Sequence, residues 1–194
     1  MNAPTMALKE WAIICQLLAE GRQVILLRKG GIAEPDGAFR VDHSRFWLYP
    51  TYVHQQETGI LPEYLPELEA VKKTRPPAGK VRLSHAAEVA WMHQCRTLEQ
   101  AQALAGHHAW SADTVASRFH YRVPGLFVLA LRVYQAETPC EIDMTPQQKG
   151  CKSWVKLEEP FPPQGFRSIL SVESFTARCR PLEALFNEPR NPRG

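Results

Sequence analysis

The apolar positions of the chain follow three patterns, and each predicts a different element. Between residues 7 and 20, Leu8, Trp11, Cys15 and Leu18 recur at helical spacing with Ile14 beside them. That is the stripe of an amphipathic helix, and Gly21 follows as its stop. Between 81 and 95 the period is two. Val81, Leu83, His85, Ala87, Val89, Trp91, His93 and Cys95 share one face. This predicts a long strand with one buried face, or two strands joined at Ala86-Ala87. Two stretches, 23–28 and 126–133, hold apolar runs without a break, Val24 to Leu27 and Leu126 to Leu131. Both predict interior strands covered on both faces.

Shorter signals fill the intervals. A strand is predicted over 39–42, and another begins at Arg45 with Phe46 and Leu48 on one face and Trp47 on the other. Pro50 cannot donate to a ladder, so that strand is at an edge or bulged there before 52–54 resume it. Residues 63–73 predict a helix with Pro66 in its first turn. Thr97-Leu-Glu-Gln100 is a capping box that opens a helix ending near Gly106. Ser111 is an N-cap before Val115 and Phe119. Residues 139–143 and 151–157 predict strands flanking 126–133. Residues 171–180 predict a helix stopped by Pro181, and a tail follows from 187. These elements make an α+β fold, a mixed β-sheet flanked by helices. The expected halves are 1–96 and 97–187, with 188–194 as tail.

Composition narrows the class. The 194 residues are 44% hydrophobic and 22% charged, enough apolar surface for a substantial core. A net charge of +3 is compatible with an anionic partner such as nucleic acid without demanding one. The five cysteines, Cys15, Cys95, Cys140, Cys151 and Cys179, are odd in number and form no C-x-x-C pair. That excludes a disulfide framework or zinc ribbon and predicts free thiols. No signal-peptide pattern opens the chain, and no window is apolar for the length of a membrane span, so the expectation is a cytoplasmic protein.

Candidate chemistry concentrates in residues 23–55. Arg28-Lys29-Gly30-Gly31 offers backbone N–H groups and two cations to a phosphate, or is a hairpin turn with solvated charges. It has neither nucleotide-loop nor dinucleotide-fold spacing. Asp42, His43 and His54 are compatible with a metal or acid–base group, or with a turn aspartate and surface histidines. Arg118, His120, Tyr121 and Arg122 interleave cations with aromatics, either a grip on nucleic acid or the charged end of a helix. His107-His108 fit a helix end, and His85 and His93 fit a core face. Cys151, between Lys149 and Lys152, is the best placed thiol for nucleophilic chemistry; packing is the simpler role.

The strings KEWA, LLRKGGI, FWLYPTYVHQ, LRVY and GCKSWVKL, in this order, resemble an uncharacterised prokaryotic family of cyanobacteria and archaea, a domain of unknown function. A weaker similarity is to the restriction-endonuclease-like superfamily. That similarity implies a core of helix, three strands, helix and strand, and carboxylates holding Mg²⁺. Asp36 or Asp42 then fills the first acidic position as a metal ligand, and Glu10 matches the accessory acid of the first helix. The strand RFWLYPTYVHQ departs from the pattern, since it carries no acid-x-lysine pair and only His54 and Gln55 near its end. On this reading the protein is nucleic-acid-associated, with a nuclease-like phosphodiesterase site that is active or lost. Asp42, His54 and Glu10 are its catalytic candidates. Arg28, Lys29, Gly30, Gly31, His43, Gln55, Arg118 and Arg122 are its binding candidates. The alternative is a non-catalytic regulatory or protein-interaction protein.

Overall fold

The computed structural model describes residues 3–29, 43–52, 57–149, 153–158 and 165–187. The first predicted helix is in fact two elements, β1 (Met6–Trp11) and α1 (Ala12–Ala19). In β1, Ala7 and Leu8 are both fully buried, in different clusters on the two faces of the sheet. A strand covered on both faces shows no alternation, so its apolar residues merged with those of α1 into one apparent helical stripe. Gly21 does end α1, with φ +66°, and a Cβ there would meet Leu170 at 2.8 Å.

β2 (Ile25–Arg28) is buried through Ile25, Leu26 and Leu27 as expected, yet among the described strands it pairs with one neighbour, β5, and stands at the end of the order. β3 (Arg45–Thr51) runs on through Pro50. The proline is tolerated because the described ladder to the next strand stops at Trp47, leaving no partner for its missing N–H on that side. α2 (Leu65–Lys73) carries Pro66 in its first turn and buries Leu68 and Val71.

β4 (Lys80–Cys95) is one strand, not two. Its register slips between Leu83 and His85 and again between Val89 and Trp91. The first irregularity sets two residues of β4 against five of β5, and the buried face changes across it. Val81 and Leu83 join one cluster and Ala87 and Cys95 the other, which the uniform alternation hid.

α3 (Leu98–Gln102) starts with the predicted capping box, Thr97 and Gln100 bonding each other's backbone reciprocally. α4 (Ala112–His120) is capped by Ser111 and buries Val115 and Phe119. β5 (Leu126–Asp143) absorbs the segment expected as a separate flanking strand. After the short α5 (Pro146–Lys149), β6 (Trp154–Lys156) pairs with β1 and not with β5. β7 (Phe166–Ser168) adds to β5.

α6 (Val172–Asn187) continues through Pro181. Phe175, Cys179 and Leu182 are buried along one stripe, and Phe186 stacks on His93 at 3.8 Å. This packing outweighs the lost hydrogen bond.

The architecture is thus α+β, a mixed sheet of seven strands among the described residues with helices against it. The strand order is β2-β5-β4-β3-β1-β6, with β7 also on β5, and β1/β3 is the parallel pair. The sheet curls: Arg28, at the end of β2, donates to the carbonyl of Lys9 in β1 at 3.1 Å. The described elements begin strand–helix–strand, so the helix-first order of a restriction-endonuclease-like core is not what they form. No helix among the described residues is long and apolar enough to cross a membrane.

Candidate anion-binding concavity

The curl leaves a concavity of about 630 Å³ where β1, β2 and β3 end, β4 begins and β5 runs out. Each strand delivers polar groups there because its apolar run has just finished. β1 supplies Lys9, Glu10 and Trp11, and β2 supplies Arg28 and Lys29. β3 supplies Tyr49 to Thr51, with Tyr52 just beyond it, and β4 supplies Lys80 with Val81. Arg118 reaches in from α4, and Arg75 from the segment after α2. Among the described lining residues the cations are six and Glu10 is the one carboxylate, so the field inside is positive.

Glu10 is 3% exposed and both its oxygens are engaged. Oε1 accepts from the Trp11 backbone N–H at 2.8 Å, and Oε2 accepts from Arg28 Nη1 at 2.9 Å. Thr51 Oγ1 donates to the Glu10 carbonyl at 3.0 Å, which ties β1 to β3 below the pair. Among the described residues Arg28 is held on its Nη1 side only, and its buried Nε meets no acceptor there.

Arg118 is flanked by two indoles, Trp110 at 4.9 Å and Trp11 at 5.1 Å. The cation–π contacts orient the guanidinium. Its one described hydrogen bond is from Nη1 to the Leu27 carbonyl at 3.4 Å. Burial lowers its pKa, Glu10 opposes that and Arg28 adds to it. Two guanidinium groups thus share one carboxylate.

Lys29 is different. Its ammonium donates to the carbonyls of Phe119 (2.9 Å), Gly125 (2.8 Å) and Val123. All three protons are used, so it ties the turn after α4 to the end of β2 and contributes charge rather than a free donor. Burial lowers its pKa. Tyr49 is 2% exposed, its buried hydroxyl has no partner among the described residues, and burial pushes its pKa up to about 12. Lys9 lies over its ring at 5.7 Å and bonds the Gln148 carbonyl.

Of the residues singled out from sequence, Glu10, Arg28, Lys29 and Arg118 come together here. Arg122 does not: it sits in the turn after α4 at φ 60°, over Tyr121 at 5.2 Å. His43 packs edge-on against Trp154 at 5.4 Å. Gly30, Gly31, Glu34, Asp36, Asp42, His54, Gln55 and Cys151 lie outside the described residues.

His108, expected at a helix end, is 3% exposed beside Trp110, and burial lowers its pKa to about 4. His85, expected on a core face, is half-buried with Nδ1 2.9 Å from Ser84 Oγ, and its pKa is also lowered to about 4 by burial. Sequence reasoning missed Tyr49, Arg75, Lys80 and Trp110. The available signal was an aromatic or cation at each strand end, which no local spacing distinguishes from ordinary surface.

Fold and site together define an α+β protein with a positively charged concavity at one end of a curled mixed sheet. The chain belongs to the family described as "Domain of unknown function (DUF1802)", whose model matches residues 7–181. No curated protein matches it. Among solved structures it is similar to ASCH from Zymomonas mobilis, at 16% identity over 91% of this chain and 94% of that one, with a TM-score of 0.40. It is also similar to a tyrosine-to-phenylalanine mutant of ZmASCH, at 13% identity over 80% of this chain and 91% of that one, with a TM-score of 0.44.

The reading as a nuclease-like phosphodiesterase is corrected. Glu10 is on a strand rather than a first helix, and its oxygens are taken up by Arg28 and Trp11 N–H, leaving it paired instead of free for Mg²⁺. Among the described residues no three His, Cys, Asp or Glu side chains converge as a metal site would require.

Proposed function

We propose that this protein is a binding module whose concavity holds a phosphorylated ligand bearing a planar ring, a nucleoside phosphate. The observation that carries the reading is the Arg118 guanidinium. It is fixed between Trp11 and Trp110, has used one donor on a carbonyl, and stands beside Arg28 with Glu10 the one carboxylate among the described lining residues to balance both. A guanidinium has five N–H donors in a planar fork that matches phosphate oxygens. Rigid, underused donors in a positive field are what anion recognition requires.

The rest of the lining supports a ring. Trp11, Tyr52, Pro50, Pro77 and Met144 give the concavity an apolar wall, and its volume falls within the usual range for ligand pockets, about 300–1,000 Å³. Isothermal titration with adenosine, guanosine, cytidine and uridine 5′-monophosphates tests the reading, with inorganic phosphate alongside. At least one nucleotide binds, and Arg118→Gln weakens it by about tenfold or more. No heat from any of these anions at about 1 mM would remove the proposal.

A further inference from the structure

The number of charges in the concavity goes further than their sign. Arg28, Lys29 and Arg118 line it together, and Glu10 is the one carboxylate among the described lining residues. Glu10 is 2.9 Å from Arg28. The ion pairs of the described residues give Lys29 and Arg118 no carboxylate of their own. Lys80, by contrast, is neutralised outside this group by Asp143 at 3.0 Å and Glu141 at 4.0 Å. Of the six lining cations at least two, Lys29 and Arg118, are therefore left without a counter-charge among the described residues, in a partly desolvated site. Burying charge without a partner is costly, and a ligand relieves more of that cost the more negative charge it brings.

We infer that the concavity selects a phosphate monoester dianion, such as the terminal phosphate of a nucleotide, over a phosphodiester, which carries one negative charge. This rests on the proposed nucleoside-phosphate binding and adds the phosphate's charge state to it. Donor geometry agrees. A terminal phosphate presents three oxygens, and Arg118 keeps guanidinium donors that no acceptor among the described residues takes up. An esterified oxygen would accept less well and would place a substituent among the guanidinium groups.

The test compares a nucleoside 5′-monophosphate with its own methyl phosphodiester, titrated into the full-length protein from pH 5 to pH 8. The second proton of a phosphate monoester leaves near pH 6, at about the value given for phosphorylated side chains. The monoester should bind about tenfold tighter or more at pH 8, and its advantage should fade toward pH 5, where both ligands carry one charge. The diester serves as control for every group on the protein, since any protein titration moves both curves. No histidine lines the concavity among the described residues, and His108 lies behind Trp110 with its pKa held low.

Arg118→Gln should shrink the monoester advantage, and Arg118→Lys, which keeps the charge, should retain most of it. If Arg118→Gln does not fold, the wild-type pair of curves decides alone. Equal affinity for monoester and diester at pH 8 would overturn this inference and leave nucleotide binding standing. Binding of neither ligand, nor of inorganic phosphate, would overturn both.

Discussion

Replacing Glu10 with glutamine keeps the shape of the side chain and removes the negative charge at the base of the concavity. The structure sets the size of the effect. The ion pair with Arg28 measures 2.9 Å, and the two side chains are 2% and 11% exposed. At an effective dielectric constant of about 20, unit charges about 4 Å apart interact by roughly 4 kcal/mol. Breaking a buried pair from one side costs about 3–5 kcal/mol, because the remaining charge stays buried and unpaired.

Here Arg28 and Arg118 would face each other without compensation. The loss is therefore expected at 3–5 kcal/mol, out of a total of about 5–15 kcal/mol for a typical domain. In urea, with a slope of about 2 kcal/mol per molar, the midpoint should fall by about 1.5–2.5 M. The double variant Glu10→Gln, Arg28→Met should be more stable than the sum of its single losses, since both charges go together. Added inorganic phosphate should stabilise Glu10→Gln more than wild type, because the bare site binds anion more strongly. A loss below about 1 kcal/mol, the value of an exposed pair, would refute the argument that this pair organises the site.

Acid stability should depend on two histidines. Burial holds both His85 and His108 near pKa 4 in the folded state, below the unfolded value of about 6.5. The unfolded chain then binds more protons between these values, so stability falls as pH drops from about 6.5 to 4, by at most about 1.4 kcal/mol per pH unit for each ring. Denaturation of His85→Gln and His108→Gln across that window should show shallower slopes, and unchanged slopes would contradict the assignment. At the start of α3, Thr97→Ala removes the side chain that accepts from Gln100 N–H and should cost about 0.5–2 kcal/mol in a thermal melt, with no effect on ligand binding.

Much of the local structure could be read directly from the chain. The capping box at Thr97, the N-cap at Ser111, the buried runs at Ile25–Leu27 and Leu126–Leu131 and the stop at Gly21 are governed by neighbours within a few residues. Propensity and capping act at that range, so sequence determines them. The boundary between β1 and α1 was lost because periodicity carries no information where both faces are covered. The long strand β4 was found, but the irregularity between Leu83 and His85, across which its buried face changes, was not.

Only the tertiary structure decided the rest. Helix α6 passes Pro181 because Leu182 and Phe186 have a core to pack against. Glu10, Arg28 and Arg118 stood out separately in the sequence, but nothing local shows that the first two share an ion pair or that two tryptophans hold the third. Those contacts exist because the sheet curls and brings the end of β2 against β1 and α4. Electrostatic pairing acts through space between residues far apart in the chain, so the site became visible only once the fold had closed around it.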